Sequence, residues 1–383
     1  MLSFRTEIEN PLVQKDIIEL DKKIQLYQHG KIDEDGFRSL RLARGIYGQR
    51  QEGVQMIRIK LPFGRLNSEQ LHRIADVSDE YSTGRLHITT RQDIQIHYVS
   101  LDRTPELWAE LEKSDITLRE ACGNAVRNIT ASETAGIDPE EPFDVSPYAD
   151  AVFKFFLRNP ICQELGRKFK ISFSSSDRDS ALSFIHDLGF IAKKKIIEGK
   201  EVRGFKVMIA GGLGAQPRQA DVLFDFLETD KIIPFIESTL RVFDRYGERN
   251  RRAKARLKHL VLSIGLDLFL QYVAEENKAL SSQKVTIEVP VEQIKNHVPI
   301  KVADSVEIKD EFAYRKWKQS NVFNQKQEGL FAIGIKVRLG DFYTDKARIL
   351  ADLIKEYGQN ELRLTIKQGI LIRGIREALL PFF

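Results

Sequence analysis

"RLHITTRQDIQIHYV", residues 85–99, and "ELRLTIKQGILIRGI", residues 361–375, decide how this chain is read. Both alternate apolar with polar side chains, the period of a half-buried strand. Both place a threonine and a glutamine at the same offset, Thr89 with Gln92 and Thr365 with Gln368. Residues 56–92 lie over 332–368 without a gap, setting Ile57 on Ile333, Ile59 on Ile335, Lys60 on Lys336 and Gly64 on Gly340. Further along, Ala75-Asp76 meets Ala351-Asp352, Glu80-Tyr81 meets Glu356-Tyr357, and Leu86 meets Leu362. A common register through strand, turn, helix and strand identifies a duplicated module, and two copies imply pseudo-twofold symmetry.

Working outward from the first copy, Leu12, Ile17, Leu20 and Ile24 have helical spacing over residues 12–29, ended by Gly30. The stretch 31–51 is polar and basic and reads as an arm. "VQMIRIKLPFG" reads as a strand closed by a Pro/Gly turn, and "NSEQLHRIADVSDEYS" as a capped helix. In residues 85–99 the pattern predicts one strand with Arg91 inside it.

An α/β pattern separates the copies. "TLREACGNAVRNIT" reads as a strand entering a loop, and a helix is expected from Ser146-Pro147 with Ala149, Val152, Phe155 and Phe156 toward a core. "KFKISFS" reads as a strand, "SALSFIHDLGF" as a helix, and residues 204–227 as strand, Gly-rich turn and helix. Two more helices are expected over 231–275, the second beginning in "ERNRRAKARLKHLV".

Composition is that of an ordinary globular protein: 383 residues, 42% hydrophobic, 30% charged, net charge +4. That length calls for two or three domains, and the mild charge argues against a dedicated polyanion binder. The start lacks an apolar signal core and no run approaches a membrane span, so a cytoplasmic protein is expected. Two cysteines, Cys122 and Cys162, form neither metal spacing nor a disulfide framework. The histidines show no zinc-binding spacing.

Cations gather at strand ends and turns: Arg58 with Lys60, Arg91, Arg127, and Lys168 with Lys170. The two lysines share one strand face, which suits a solvated edge strand as well as an anion held between them. Arg91 offers a rigid fork of donors to a carboxylate or oxyanion. "AGGLGAQP" at 210–217 admits backbone anion binding at a helix N-terminus, but its glycines miss the dinucleotide register, and a tight turn explains them equally. The basic run 249–258 reads as a solvated or carboxylate-pairing helix face. "HITTRQDIQIH" lacks the aromatic ladder of an RNA-recognition sheet.

"MIRIKLPFG", "GRLHITTRQDIQIH", "CGNAVRNIT", "LGRKFKISFS" and "GLGAQP", in this order, resemble the sirohaem-containing sulfite and nitrite reductases from about residue 40 onward. The resemblance implies duplicated ferredoxin-like modules related by a pseudo-twofold axis, with one sirohaem-reductase α/β domain between them. The organisation expected is an N-terminal helix and arm at 1–45, a first ferredoxin-like module at 46–117, the α/β domain at 118–275, a linker at 276–322 and a second module at 323–383. It further implies sirohaem coupled to a [4Fe–4S] cluster and six-electron reduction of sulfite to sulfide, with nitrite to ammonia as the alternative. Electrons would come from ferredoxin or a flavoprotein reductase. By motif, Arg58, Arg127, Lys168 and Lys170 fall at the substrate-binding cations, and Arg91, Gln92, Asn128, Gly212 and Gly214 at cofactor-binding positions. Lysine rather than asparagine at 170 favours sulfite within the family pattern.

One departure is sharp. The family cluster needs four cysteine ligands in C-x5-C and C-x3-C pairs, and this sequence has neither pair. The reading expected here is therefore the N-terminal portion of a reductase, inactive alone, with apolar surface exposed on the second module. Its alternatives are a non-catalytic sirohaem-binding fragment, or half of a split reductase whose partner chain carries the cysteines.

Overall fold

Residues 85–99 form two strands joined by a tight turn, in a computed structural model that describes residues 10–289 and 307–383. The turn spans Thr89–Asp93: the Thr89 N–H donates to the Asp93 carbonyl at 2.9 Å and the Gln92 N–H to the Thr89 carbonyl at 3.1 Å. Gln92 takes a left-handed φ of +57°. The single strand expected from alternation is thus corrected to a hairpin, and Arg91 sits in its turn. Alternation misled because the turn preserves parity: Leu86, Ile88, Ile94 and Ile96 are all fully buried on one face.

In chain order the elements begin with α1 (Pro11–Gln28), α2 (Glu34–Ala43), β1 (Ile46–Gly48), β2 (Val54–Ile59), β3 (Arg65–Leu66), α3 (Ser68–Tyr81), β4 (Arg85–Ile88), β5 (Ile94–Ser100) and α4 (Thr104–Glu112). There follow β6 (Thr130–Ala131), α5 (Ser146–Phe156), β7 (Ile171–Ser174), β8 (Leu188–Ile197), β9 (Lys200–Ile209), β10 (Asp221–Glu228), α6 (Ile232–Tyr246), α7 (Leu257–Ile264) and α8 (Leu266–Lys278). The second copy supplies α9 (Glu311–Asn321), β11 (Val322–Asn324), β12 (Leu330–Ile335), β13 (Asp341–Tyr343), α10 (Thr344–Tyr357), β14 (Leu362–Leu364) and β15 (Ile370–Arg376). The chain divides into two compact units, Met1–Cys122 with Lys295–Phe383, and Gly123–Ile294. No single helix among the described residues is long and apolar enough to cross a membrane.

The first unit contains both copies. Its sheets run β1-β2-β5-β4-β13 and β11-β12-β15-β14-β3, so each copy closes the other's sheet with one short edge strand. The register that sets Ile57 on Ile333 also sets β1 on β11 and β5 on β15. Gln92 donates its side-chain amide to the Leu364 carbonyl at 2.9 Å, and Gln368, its equivalent, donates to the Ile88 carbonyl at 2.8 Å. Gly64 and Gly340 have φ of +67° and +75°, and a Cβ at either would lie 2.6 or 2.7 Å from those same carbonyls. Only glycine allows that approach. An Asn67–Gln70 capping box starts α3.

The expected arm at 31–51 contains α2, anchored by Phe37, which is buried and stacks on Tyr27 at 4.5 Å. Leu40, three residues on, packs against the same core, so a short apolar side among charged residues makes this stretch a helix. The second copy exposes Phe312, Leu339, Tyr343 and Ile349.

In the second unit the sheet runs β10-β9-β8-β7-β6, parallel from β6 to β8 and antiparallel from β8 to β10. Several local expectations fail here. "TLREACGNAVRNIT" is irregular until β6, and "SALSFIHDLGF" holds one short turn at Ser183–Ile185 before β8. The segment after "AGGLGAQP" is strand β10, not a helix. Short apolar runs suit either state, and pairing with β9 decides this one. Residues 232–278 hold three helices rather than two, and "ERNRRAKA" lies wholly before α7. Phe155 is exposed, whereas Ala149, Val152 and Phe156 are buried as expected.

Candidate functional site

In the first unit the cations collect around the ends of β2 and the β4–β5 turn. Arg58 on β2 faces Gln95 on β5; its Nη2 and Nε donate to the Gln95 amide oxygen at 2.6 and 3.1 Å once that amide is oriented to accept. Lys60 is buried and lies 3.7 Å from Glu120, itself buried. Its backbone N–H donates to the Thr117 carbonyl at 3.0 Å. Arg91 is only 7% exposed, and its N–H donates to Thr89 Oγ1 at 3.1 Å. Gln92 is fully buried, with its amide on the Leu364 carbonyl.

Asp93, which sequence reasoning passed over, is a second buried carboxylate of this group, beside Glu120. Burial pushes its pKa up to about 6, against the opposing pull of Arg58, Arg91, the Leu61 N–H and Lys60. The second copy has Gly334, Lys367 and Gly369 where the first has Arg58, Arg91 and Asp93. Duplication supplied the scaffold twice, but only the first copy carries this set.

In the second unit Val126 pairs in parallel with Phe169. Phe169 is fully buried, so pleating turns its neighbours Lys168 and Lys170 to the opposite face, with Arg127 beside them on the adjoining segment. Lys168 and Lys170 precede β7 rather than lying within it. Arg127 chelates the Gly123 carbonyl with Nε and Nη2 at 3.0 and 2.9 Å, which fixes the guanidinium plane. Asn128 is fully buried.

A buried ion pair sets this geometry. Asp187, fully buried, accepts the Lys170 backbone N–H at 2.8 Å and takes Arg256 through Nε at 3.1 Å and Nη2 at 2.8 and 2.9 Å. Lys258 donates Nζ to the carbonyls of Gly212 at 3.2 Å, Leu213 at 3.4 Å and Gln216. Gly212 lies tight against this pair, where a Cβ would meet Arg256 at 3.2 Å, while Gly214 has φ of +123° in open space. The loop 210–217 is a β-hairpin connection, so anion binding at a helix N-terminus is overturned there. Arg256 and Lys258 belong to the basic run expected on a helix face. Only tertiary contact shows that two of its cations turn inward.

The family models match in the order the fold has. The ferredoxin-like half domain of nitrite/sulfite reductases matches residues 47–114 and again 323–381, one match per copy. The nitrite and sulphite reductase 4Fe-4S domain matches residues 122–280. The chain belongs to the nitrite and sulphite reductase family.

Among the reductases it resembles are an assimilatory ferredoxin-dependent nitrite reductase of Haloferax mediterranei, 28% identical over 86% of this chain and 57% of the relative. A ferredoxin–nitrite reductase of Synechococcus elongatus is 31% identical over 86% of this chain and 60% of its own length. A ferredoxin sulfite reductase of Mycolicibacterium paratuberculosis is 26% identical over 90% and 60%. The chain thus spans under two thirds of these reductases. The fold matches Mycobacterium tuberculosis NirA with a TM-score of 0.75, over 95% of this chain and 67% of NirA, at 24% identity.

Proposed function

We propose that this chain supplies the oxyanion-binding cations and part of the sirohaem site of a reductase that converts sulfite to sulfide or nitrite to ammonia. The observation that carries this reading is the shared face of Arg127, Lys168 and Lys170, braced from behind by Asp187 and Arg256. Several charge-assisted donors held on one face by a built brace suit a small oxyanion.

The donors of the first unit suit a carboxylate of a polycarboxylate tetrapyrrole, which Arg91 would hold by its rigid fork; in the second unit, taken by itself, Asn128 and the Gly212–Gly214 loop are the proposed cofactor-binding positions. Sirohaem, when bound, supplies the redox iron. Arg127 remains charged and orients the oxyanion. The Nζ groups of Lys168 and Lys170 each carry three donors and would give protons to departing oxygen. The donor set does not fit a [4Fe–4S] cluster. Cys122 and Cys162 are the only cysteines, both are buried, and they belong to different units, whereas the cluster takes four thiolates. That mismatch favours a second reading, in which this chain is the non-catalytic, tetrapyrrole-binding half of an assembly whose partner carries the cysteines. Ferredoxin is the electron donor in the names of the relatives above, and a flavoprotein reductase is the other candidate here.

Lys170 favours sulfite, and the relatives' names are mostly those of nitrite reductases. Calorimetric titration of the chain with sulfite and nitrite separates the two. Lys168→Ala and Lys170→Ala should each weaken binding of the preferred anion about tenfold, the value of one charge-assisted contact. Unchanged affinity in both variants removes the anion site from these residues.

A further inference from the structure

The duplicated first unit permits a comparison within one molecule. In a twofold contact, residue i of one half meets j of the other, and j meets i. At least three reciprocal contacts join the copies. One is the Gln92 and Gln368 amide pair described above. A second joins α3 to α10: Arg348 to Asp76 at 2.7 Å, and reciprocally His72 to Asp352 at 2.8 Å. The third lies at the exchanged edges, where Arg85 on β4 pairs with Asp341 on β13, and Arg65 on β3 pairs with Glu361, just before β14, at 2.8 Å.

The first two contacts would survive if like copies were paired, because each copy carries the glutamine, and each helix carries at the matched positions a hydrogen-bond donor, His72 or Arg348, and an aspartate, Asp76 or Asp352. The third would not. The first copy holds both arginines, Arg65 and Arg85, and the second holds both carboxylates, Asp341 and Glu361. Two first copies would set Arg65 against Arg85 twice over. In a pair of second copies Glu361 would keep Arg363 and Arg373 of its own copy, at 2.9 and 2.6 Å. The rejection therefore falls mainly on the first copy.

We propose that this division of charge selects the partner at the exchanged edges: the open edge of the first copy accepts the second copy and rejects the first copy of another molecule. The selection has a physical need. Without the exchanged strands, β4 and β14 are sheet edges with unpaired N–H and C=O groups, and the duplication offers nearly the same edge twice. Shape and backbone bonding alone would admit either partner, so discrimination needs an element that repels the wrong one. A single exposed ion pair is weak, but a pairing of two first copies meets the repulsion at both junctions.

The test uses the full chain and two double variants. Arg85→Asp with Asp341→Arg reverses one junction, preserving the native attraction while making like pairing attractive as well. Arg85→Ala with Asp341→Ala removes attraction and rejection together. Arg85 is 55% exposed and Asp341 19%, and both variants alike lose the 2.8 Å contact of Asp341 with His87 Nδ1, so the comparison between them isolates the change at Arg85–Asp341. Each protein is unfolded in denaturant, refolded at one high concentration, and its dimer fraction read by size exclusion with light scattering. The expected order is wild type, alanine pair, reversed pair, with a several-fold rise overall. High salt should raise the wild-type fraction, because screening weakens the rejection. Dimers that exchange halves but keep first-on-second pairing are equally open to all three. Simple loss of stability would instead make the alanine pair the most dimeric, and that order overturns the proposal. So does an alanine pair no more dimeric than wild type at low salt, a result that stands even if the reversed pair does not refold.

Discussion

Asp93 is a carboxyl enclosed by cations yet harder to ionise than in water, because burial outweighs its partners. The unfolded group releases its proton at about pH 3.9, the folded one at about 6. Between those values the native state binds more protons, so this group's contribution to stability falls as pH rises. Asp93→Asn should flatten that part of the profile, checked by thermal melts from pH 4 to 7; an unaltered slope places the titration elsewhere. Asp187 matters through its contacts, since it accepts from Arg256 and from the Lys170 N–H. Asp187→Asn leaves a buried guanidinium without its counterion and should cost about 3–5 kcal/mol in denaturant unfolding. Hydrogen exchange at the Lys170 amide should quicken as well. Neither residue was legible in advance. An aspartate in "TTRQDIQ" or "IHDLGF" looks like any turn aspartate until burial and partners are known.

At the scale of elements, the tight turns carry the symmetry. Gly64→Ala would press a methyl onto the Leu364 carbonyl at φ +67°, whereas Gly53 has φ +75° with nothing within 4 Å. The first substitution should cost about 2–4 kcal/mol and the second about 1, because only the first adds a clash to left-handed strain. Equal losses in chemical denaturation would mean that the junction yields around residue 64. The matched glycines and glutamines were visible as sequence identities between the copies. Their role was not, since repetition shows that a position is kept within the module but not which carbonyl it approaches. Helices with caps and amphipathic stripes, such as α3, were legible for the ordinary reason that their stabilising contacts are local. The β10 segment was misread as a helix because short apolar runs suit either state, and hairpin pairing with β9 makes it sheet.

For the whole molecule, the missing thiolates have the largest consequence. The homogeneous chain, supplied with sirohaem and a strong reductant, should show no six-electron turnover of sulfite or nitrite, and measured turnover would refute the ligand count. Addition of a polypeptide carrying the four cysteines is the condition under which turnover is expected.

The sequence by itself determined the duplication, the family, the gathering of cations near strand ends and the shortage of cluster ligands. Each is a matter of residue identity and spacing, which survives without coordinates. Tertiary structure alone decided that residues 85–99 reverse direction, that the copies exchange edge strands, that Arg256 and Lys258 turn inward, and that Asp93 keeps its proton to about pH 6. Those outcomes depend on which distant groups exclude water from one another. Burial and pairing of that kind are properties of three-dimensional neighbours, and no local pattern encodes them.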